Sequence, residues 1–209
     1  ILALVKNLVG QERIALDTEF IRESTFFPII ALIQVGTDKE SWLVDPLALK
    51  PEELKPLFDL FRDQKVLKVF HAAQADQECI YTNYGVVASP CFDTAVGASL
   101  CGLGDSIGLA KLTKEVLGVQ LQKGHARTDW TVRPIPEQLM RYAHQDVHHL
   151  LPITAKLFSQ LEKSGRKEWA LELSARFADP KMYEPNPNGI ALKLAKNGKL
   201  DRRGFATLR

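Results

Sequence analysis

Apolar residues run in short blocks through the first half of the chain and at helical spacing through the second. ERIALDTEF, after the helix stop at Gly10, and IIALIQVGT, after Pro28, are apolar runs of strand length. SWLVD is a third, closed by the turn at Pro46. PEELKPLFDLFRD instead spaces Leu54, Leu57, Phe58 and Phe61 as a helix does. KVLKVF predicts a short buried strand, QADQECIYTNYG a helix ending at Gly85, and SPCFDT a fifth strand. Three adjacent strands followed by strand–helix–strand crossovers predict an α/β fold, a mixed β-sheet flanked by helices.

The second half predicts helices in TAVGASLCG, in GLAKLTKEVLG and over 137–163, the last kinked at Pro152. Between them LQKGHARTDWTVRPIP is too long for a plain connector, and loops of that kind often carry function. A further helix, RKEWALELSARF, precedes the Pro- and Asn-rich DPKMYEPNPNG. The basic GIALKLAKNGKLDRRGFATLR then reads as the start of a second unit. The expected division is one domain over 1–178, followed over 179–209 by a linker and a truncated helical extension. Opening inside a helical pattern and stopping in mid-pattern, the chain reads as a piece of a longer one.

Composition narrows the classes. With 209 residues, 45% of them hydrophobic and 25% charged, the chain has enough apolar material for a sizeable core. A net charge of +2 leaves no basic tail to coat nucleic acid, so local patches must bind any phosphate. Cys79, Cys91 and Cys101 have neither disulfide-framework nor zinc spacing, and free thiols in a reducing cytoplasm are expected. No apolar run reaches the length of a membrane span, and no signal peptide is visible.

The candidate chemistry lies in acidic residues at the ends of apolar runs. Asp17 and Glu19, two apart on a predicted strand, share a face. Tyr142 and Asp146, four apart on a predicted helix, do the same. Asp76 falls in the first turn of the helix after KVLKVF. Buried carboxylates are costly unless paired or bound to metal, and an all-oxygen set suits Mg²⁺ or Mn²⁺. Two such ions are a common apparatus for cleaving phosphodiesters, so the chain reads as a metal-dependent nuclease.

These segments match, one by one, the three exonuclease motifs of the DEDD superfamily: Asp17 and Glu19 the first, Asp76 the second, Tyr142 and Asp146 the third. The histidine form of the third motif would need His at position 141, which is Arg141, so the match is to the tyrosine form. HAAQAD, GLAKLTKEVLGV, RTDWTVRP and QLMRYAHQDVHHLLPITAKL resemble the ribonuclease D family over about 9–177. The resemblance implies a ribonuclease H-like fold and 3′-to-5′ trimming of RNA 3′ ends, such as those of tRNA precursors, with release of nucleoside 5′-monophosphates. It also implies two divalent cations, Mg²⁺ or Mn²⁺, with Asp17 shared between them and Asp76 on the second through water. Glu19 and Asp146 would complete the site, and Tyr142 would orient the attacking water. The C-terminal stretch resembles the start of an HRDC-type helical domain. The chain is expected to be cytoplasmic and monomeric, with no membrane partner. A DNA 3′ exonuclease with the same carboxylates and an inactive RNA-binding module are the alternative readings.

Lesser candidates surround the motifs. Arg127 in RTDW either contacts phosphate or belongs to a capping turn with Trp130 in the core. Phe20, Phe26 and Phe27 offer either a stacking surface for a terminal base or ordinary packing. His71 supports the second motif or touches substrate, and Lys111, Lys114 and Lys123 are solvated or line an RNA path. His148 and His149 flank Asp146 without ligand spacing to the carboxylates.

Overall fold

Residues 1–22, 27–121 and 128–184 are described in the computed structural model. Five strands form one sheet in the order β3-β2-β1-β4-β5. They are β1 (Arg13–Ile21), β2 (Ile29–Gly36), β3 (Ser41–Val44), β4 (Leu67–Phe70) and β5 (Cys91–Asp93). β1, β2 and β3 form an antiparallel meander, while β4 and β5 add in parallel on the other side of β1. The parallel steps are joined by α2 (Pro51–Arg62) and α3 (Gln74–Tyr84), as a crossover requires. The mixed sheet and its order of elements agree with the expected fold.

Alternation along β1 sorts its side chains between two cores. Ile14 and Leu16 join the core built with α1 (Leu2–Leu8), α2 and α3. Ala15, facing the other way, joins the core of α4 (Thr94–Leu100), α5 (Leu109–Leu117), α7 (Leu150–Lys163) and α8 (Lys167–Ala175), which also takes in Val147 of α6 (Glu137–His148). By the same period of two, Asp17 and Glu19 fall on the α6 side and Thr18 on the α3 side. β1 therefore serves two faces of one site.

The helical segment expected to run unbroken over 137–163 with a kink at Pro152 is two helices that meet at His149. Pro152 has no N–H to give the His148 carbonyl, so the bond that would carry α6 into α7 is missing. The chain turns a few residues before the proline, and regular bonding resumes with Ile153 N–H to His149 O at 3.0 Å. Freed from α7, α6 packs along β1, β2 and β3. Gly36 permits that approach: a Cβ there would lie 3.1 Å from the Val147 carbonyl oxygen and 3.3 Å from Ala15 Cβ. Val147 neighbours Asp146, so this close contact seats the third motif on the sheet.

Beyond α8, two short 3₁₀ turns bring Tyr183 back onto the domain. It is buried, lies with its ring tilted 6.0 Å from that of Tyr81 in α3, and donates its hydroxyl to Phe177 O at 2.8 Å. Of the linker and extension expected over 179–209, residues 185–209 lie outside the described residues.

Candidate active site

Asp17 and Glu19 leave the C-terminal half of β1 on the α6 face, and the pairing of β1 with β2 shifts register between Glu19 and Phe20. Such irregularities bend a strand and re-aim its side chains, and they gather beside functional sites. Opposite them, α6 presents Asp146. One carboxylate oxygen from each of Asp17, Glu19 and Asp146 lies within 4.8 Å of the others. Tyr142, one turn before Asp146, donates its hydroxyl to the Asp146 carboxylate. Its ring lies 6.2 Å from Trp130, in a small core with Ala31, Leu32, Leu139 and Ala143.

Asp76 stands outside that cluster of three. It sits in the first turn of α3, where an acid suits the helix dipole, and its Oδ1 accepts from Thr18 N at 3.0 Å and Thr18 Oγ1 at 2.6 Å. The turn leading into α3 is itself held: Ala72 has φ of 60°, and Asp93 accepts from the amides of Ala72 and Ala73 at 2.9 and 3.0 Å. That double bond offsets the left-handed conformation of a residue with a Cβ. Asp93 also caps α4 through Ala95 N, so the end of β5 fixes the second motif.

The electrostatics are those of a site built for a cation. Burial, then the charges of Asp76, Asp146 and Glu19, hold the Asp17 carboxyl well above its usual range. Burial, with Asp146 and Asp76, pushes Glu19 up to about 8. Burial also raises Asp76 and Asp146 to about 7, against the hydrogen bonds from Thr18 and Tyr142. Among the described residues no lysine or arginine pairs with any of the four. Gln34, fully buried opposite Asp17, reaches Asp17 Oδ2 with Nε2 at 3.4 Å, while its own Oε1 has no partner among the described residues. Converging, desolvated, like-charged oxygens fit a divalent ion, and hard oxygen-loving ions are the class that suits them.

The structure thus brings together Asp17, Glu19, Asp146 and Tyr142, with Asp76 beside them. Other candidates fall elsewhere. Phe20 is half-buried against the α1–α3 core. The His71 ring bonds to Thr94 Oγ1 at 2.9 Å and to the Ile107 backbone, in the wall of a cavity of about 600 Å³ that none of the five motif residues lines. Burial lowers its pKa, and its partners make it a support of the second motif's turn. Trp130 is core and Asp129 caps Thr131 N at 2.9 Å, as the capping-turn reading expects. Lys111 and Lys114 are exposed, and His144 bonds to Ser41 Oγ at 2.7 Å. Phe26, Lys123 and Arg127 lie outside the described residues. Thr18, Gln34 and Asp93 were not singled out from the sequence. Gln34 had a readable signal, a lone amide inside the apolar run IIALIQVG.

Known proteins resemble this chain over most of its length. A family model described as 3′-5′ exonuclease matches residues 2–162. Ribonuclease D of Bartonella henselae is 41% identical over 196 residues, covering 94% of this chain and 48% of the relative. Ribonuclease D of Nitrobacter hamburgensis is 40% identical over 181 residues, 87% of this chain and 47% of the relative. The crystal structure of Escherichia coli RNase D superposes with a TM-score of 0.86 at 35% identity, over 96% of this chain and 53% of that one. The chain spans about half the length of the relatives it matches. By the extent of the family match, this chain belongs to the 3′-5′ exonuclease family.

Proposed function

We propose that residues 1–178 form the catalytic domain of a 3′-to-5′ exoribonuclease that removes nucleoside 5′-monophosphates from RNA 3′ ends. The observation that carries this is the meeting of Asp17, Glu19 and Asp146 within 4.8 Å, in a desolvated site without a protein cation among the described residues. RNA as the substrate class is supported by the likeness to Escherichia coli RNase D, described as an exoribonuclease involved in structured RNA processing. Maturation of tRNA or other stable RNA fits that class. Three free thiols fit a cytoplasmic setting.

Two divalent ions, Mg²⁺ or Mn²⁺, would supply charge neutralisation, acidification of water and stabilisation of the leaving 3′ oxygen. Asp17, Glu19 and Asp146 would hold them, with Asp76 reaching the second. The remaining work belongs to the protein. Tyr142 orients the attacking water: burial and the charges of Asp146, Glu19 and Asp17 raise its pKa further above an already high value, so it keeps its proton. A hydroxyl in that state spends its one proton on a single hydrogen bond and is no general base, so it holds the water by accepting from it. Asp146 accepts that single bond and fixes the hydroxyl's direction. Arg127 and Phe20 are assigned to the RNA, and His71 to shaping the path beside the second motif.

The test is degradation of 5′-labelled single-stranded RNA with Mg²⁺, with Mn²⁺ and with chelator, beside a matched DNA oligomer and a circular RNA. A ladder shortening from the 3′ end in the metal lanes only is expected. Cutting of the circle, full turnover in chelator, or a preference for DNA would each overturn a named part of the reading.

A further inference from the structure

Thr18 separates the two carboxylates of the first motif and is nearly buried on the opposite face of β1, toward α3. Its amide has no strand partner. β1 pairs with β4 only through Ala15, and Leu67 N–H bonds to Glu12 O. By alternation the amide of Thr18 points to the same side, past the end of β4, where the sheet edge is open. Asp76 fills this opening: Oδ1 takes both the amide and the hydroxyl of Thr18, at 3.0 and 2.6 Å, while Oδ2 takes part in neither bond.

We propose that Thr18 is a positioning residue that locks Asp76 Oδ1 and so presents Oδ2 to the divalent-ion site of Asp17, Glu19 and Asp146. This rests on the metal-dependent nuclease reading above. The physical need is plain. The charge of Asp76 is the largest coming from another side chain on Asp17, so in the ion-free protein repulsion drives the two apart. A carboxylate on the first turn of a helix has two torsions by which to swing away. Two donors on one oxygen remove that freedom before any ion arrives. Groups that orient ligands in this way typically carry about 10- to 100-fold in metal affinity. The amide bond alone leaves the carboxylate a hinge, and the hydroxyl closes it.

The test compares wild type with Thr18→Val, which keeps the β-branched shape, and Thr18→Ser, which keeps the hydroxyl. Mn²⁺ binding to the RNA-free proteins is followed by electron paramagnetic resonance, and melting temperature is recorded for each. About 10-fold weaker binding of one Mn²⁺ in Thr18→Val is expected, with wild-type affinity regained in Thr18→Ser. In turnover assays the Val variant should need more Mn²⁺ for half-maximal rate at an unchanged KM for RNA. In an Asp76→Asn background, Thr18→Val should add nothing, because Asn offers an NH₂ where Asp76 offers Oδ2 and leaves Thr18 no metal-facing oxygen to position. Wild-type Mn²⁺ affinity in the Val variant, or a full additional loss in the Asp76→Asn background, would overturn the proposal. A Ser variant that binds as poorly as the Val one would do the same. The nuclease reading fails separately, if wild type binds Mn²⁺ yet leaves RNA intact. No Mn²⁺ binding by wild type would end both.

Discussion

Asp17 and Gln34 face each other across β1 and β2, with Gln34 Nε2 3.4 Å from Asp17 Oδ2. Gln34 is fully buried, and its Oε1 lacks a partner among the described residues. An orphaned buried carbonyl costs about 1–3 kcal/mol, so this amide is a burden on stability that the fold keeps beside a carboxylate already raised by burial. Gln34→Leu should therefore melt no lower than wild type, and above it if the strand repacks well. The same variant should bind Mn²⁺ more weakly, because Asp17 loses its cross-strand donor. Calorimetric melting and Mn²⁺ titration of both proteins check the pair of effects. Lower stability with unchanged Mn²⁺ affinity would make Gln34 a packing residue.

The carboxylate cluster gives the metal-free protein an inverted pH dependence. Glu19 titrates near 8 in the fold against 4.5 ordinarily, and Asp76 and Asp146 near 7 against 3.8. Between those values the folded state binds more protons than the unfolded one, so stability falls as pH rises from about 4 to about 8. Saturating Mg²⁺ neutralises the cluster and should remove that slope. Melting at pH 5.5 and 8.5, in chelator and in Mg²⁺, measures it. Asp17→Asn should flatten the slope in chelator and abolish turnover without unfolding the domain. Equal slopes with and without Mg²⁺ would mean that the ion binds elsewhere.

Much of this site was legible in the sequence because strand and helix periods are local. Asp17 and Glu19 share a face whatever the fold, and so do Tyr142 and Asp146. What the periods leave open is who sits across the gap. The partnership of Thr18 with Asp76 spans 58 residues and exists because β4 stops short of it. Gln34 acquires its role from a cross-strand register, and Asp93 from the place where β5 ends beside the Ala72 turn. His71 in HAAQAD is close in sequence to Asp76, yet its ring is bound by Thr94 and Ile107 and supports the turn. At Pro152 the residue was identified and its consequence misplaced. The missing N–H acts on the carbonyl four residues earlier, so the helix parts at His149.

Lys68 offers a prediction away from the site. It is fully buried in β4, donating Nζ to Asp63 O at 2.5 Å and Ser89 O at 2.6 Å. Burial lowers its pKa from 10.5 to about 8. Between those values the unfolded chain binds the extra proton, so this group makes stability rise with pH from about 8 to about 10.5. Urea unfolding at pH 8, 9 and 10 should show wild type gaining on Lys68→Met across the range. Parallel curves would place Lys68 in contact with water.

Tyr142→Phe should lower kcat while leaving metal and RNA affinity nearly unchanged. The ring's packing beside Trp130, 6.2 Å away, survives the substitution, and only the oxygen that bonds Asp146 is lost. Asp146 keeps its place in the cluster of three, because its position is set by α6 and the seat of Val147 against Gly36. A transition-state hydrogen bond that positions a water is typically worth about 10²-fold or more. The pH dependence separates orientation from proton abstraction. Tyr142 keeps its proton throughout the neutral range, so wild type and Phe variant should have rate profiles of the same shape, displaced by a constant factor. A base would lose its advantage at low pH, and the two profiles would converge there. Single-turnover rates with saturating Mg²⁺ from pH 6 to 9, beside Mn²⁺ and RNA binding without turnover, make the measurement. Convergence would assign the proton to Tyr142, and an unchanged kcat would reduce it to a packing residue whose hydroxyl only steadies Asp146.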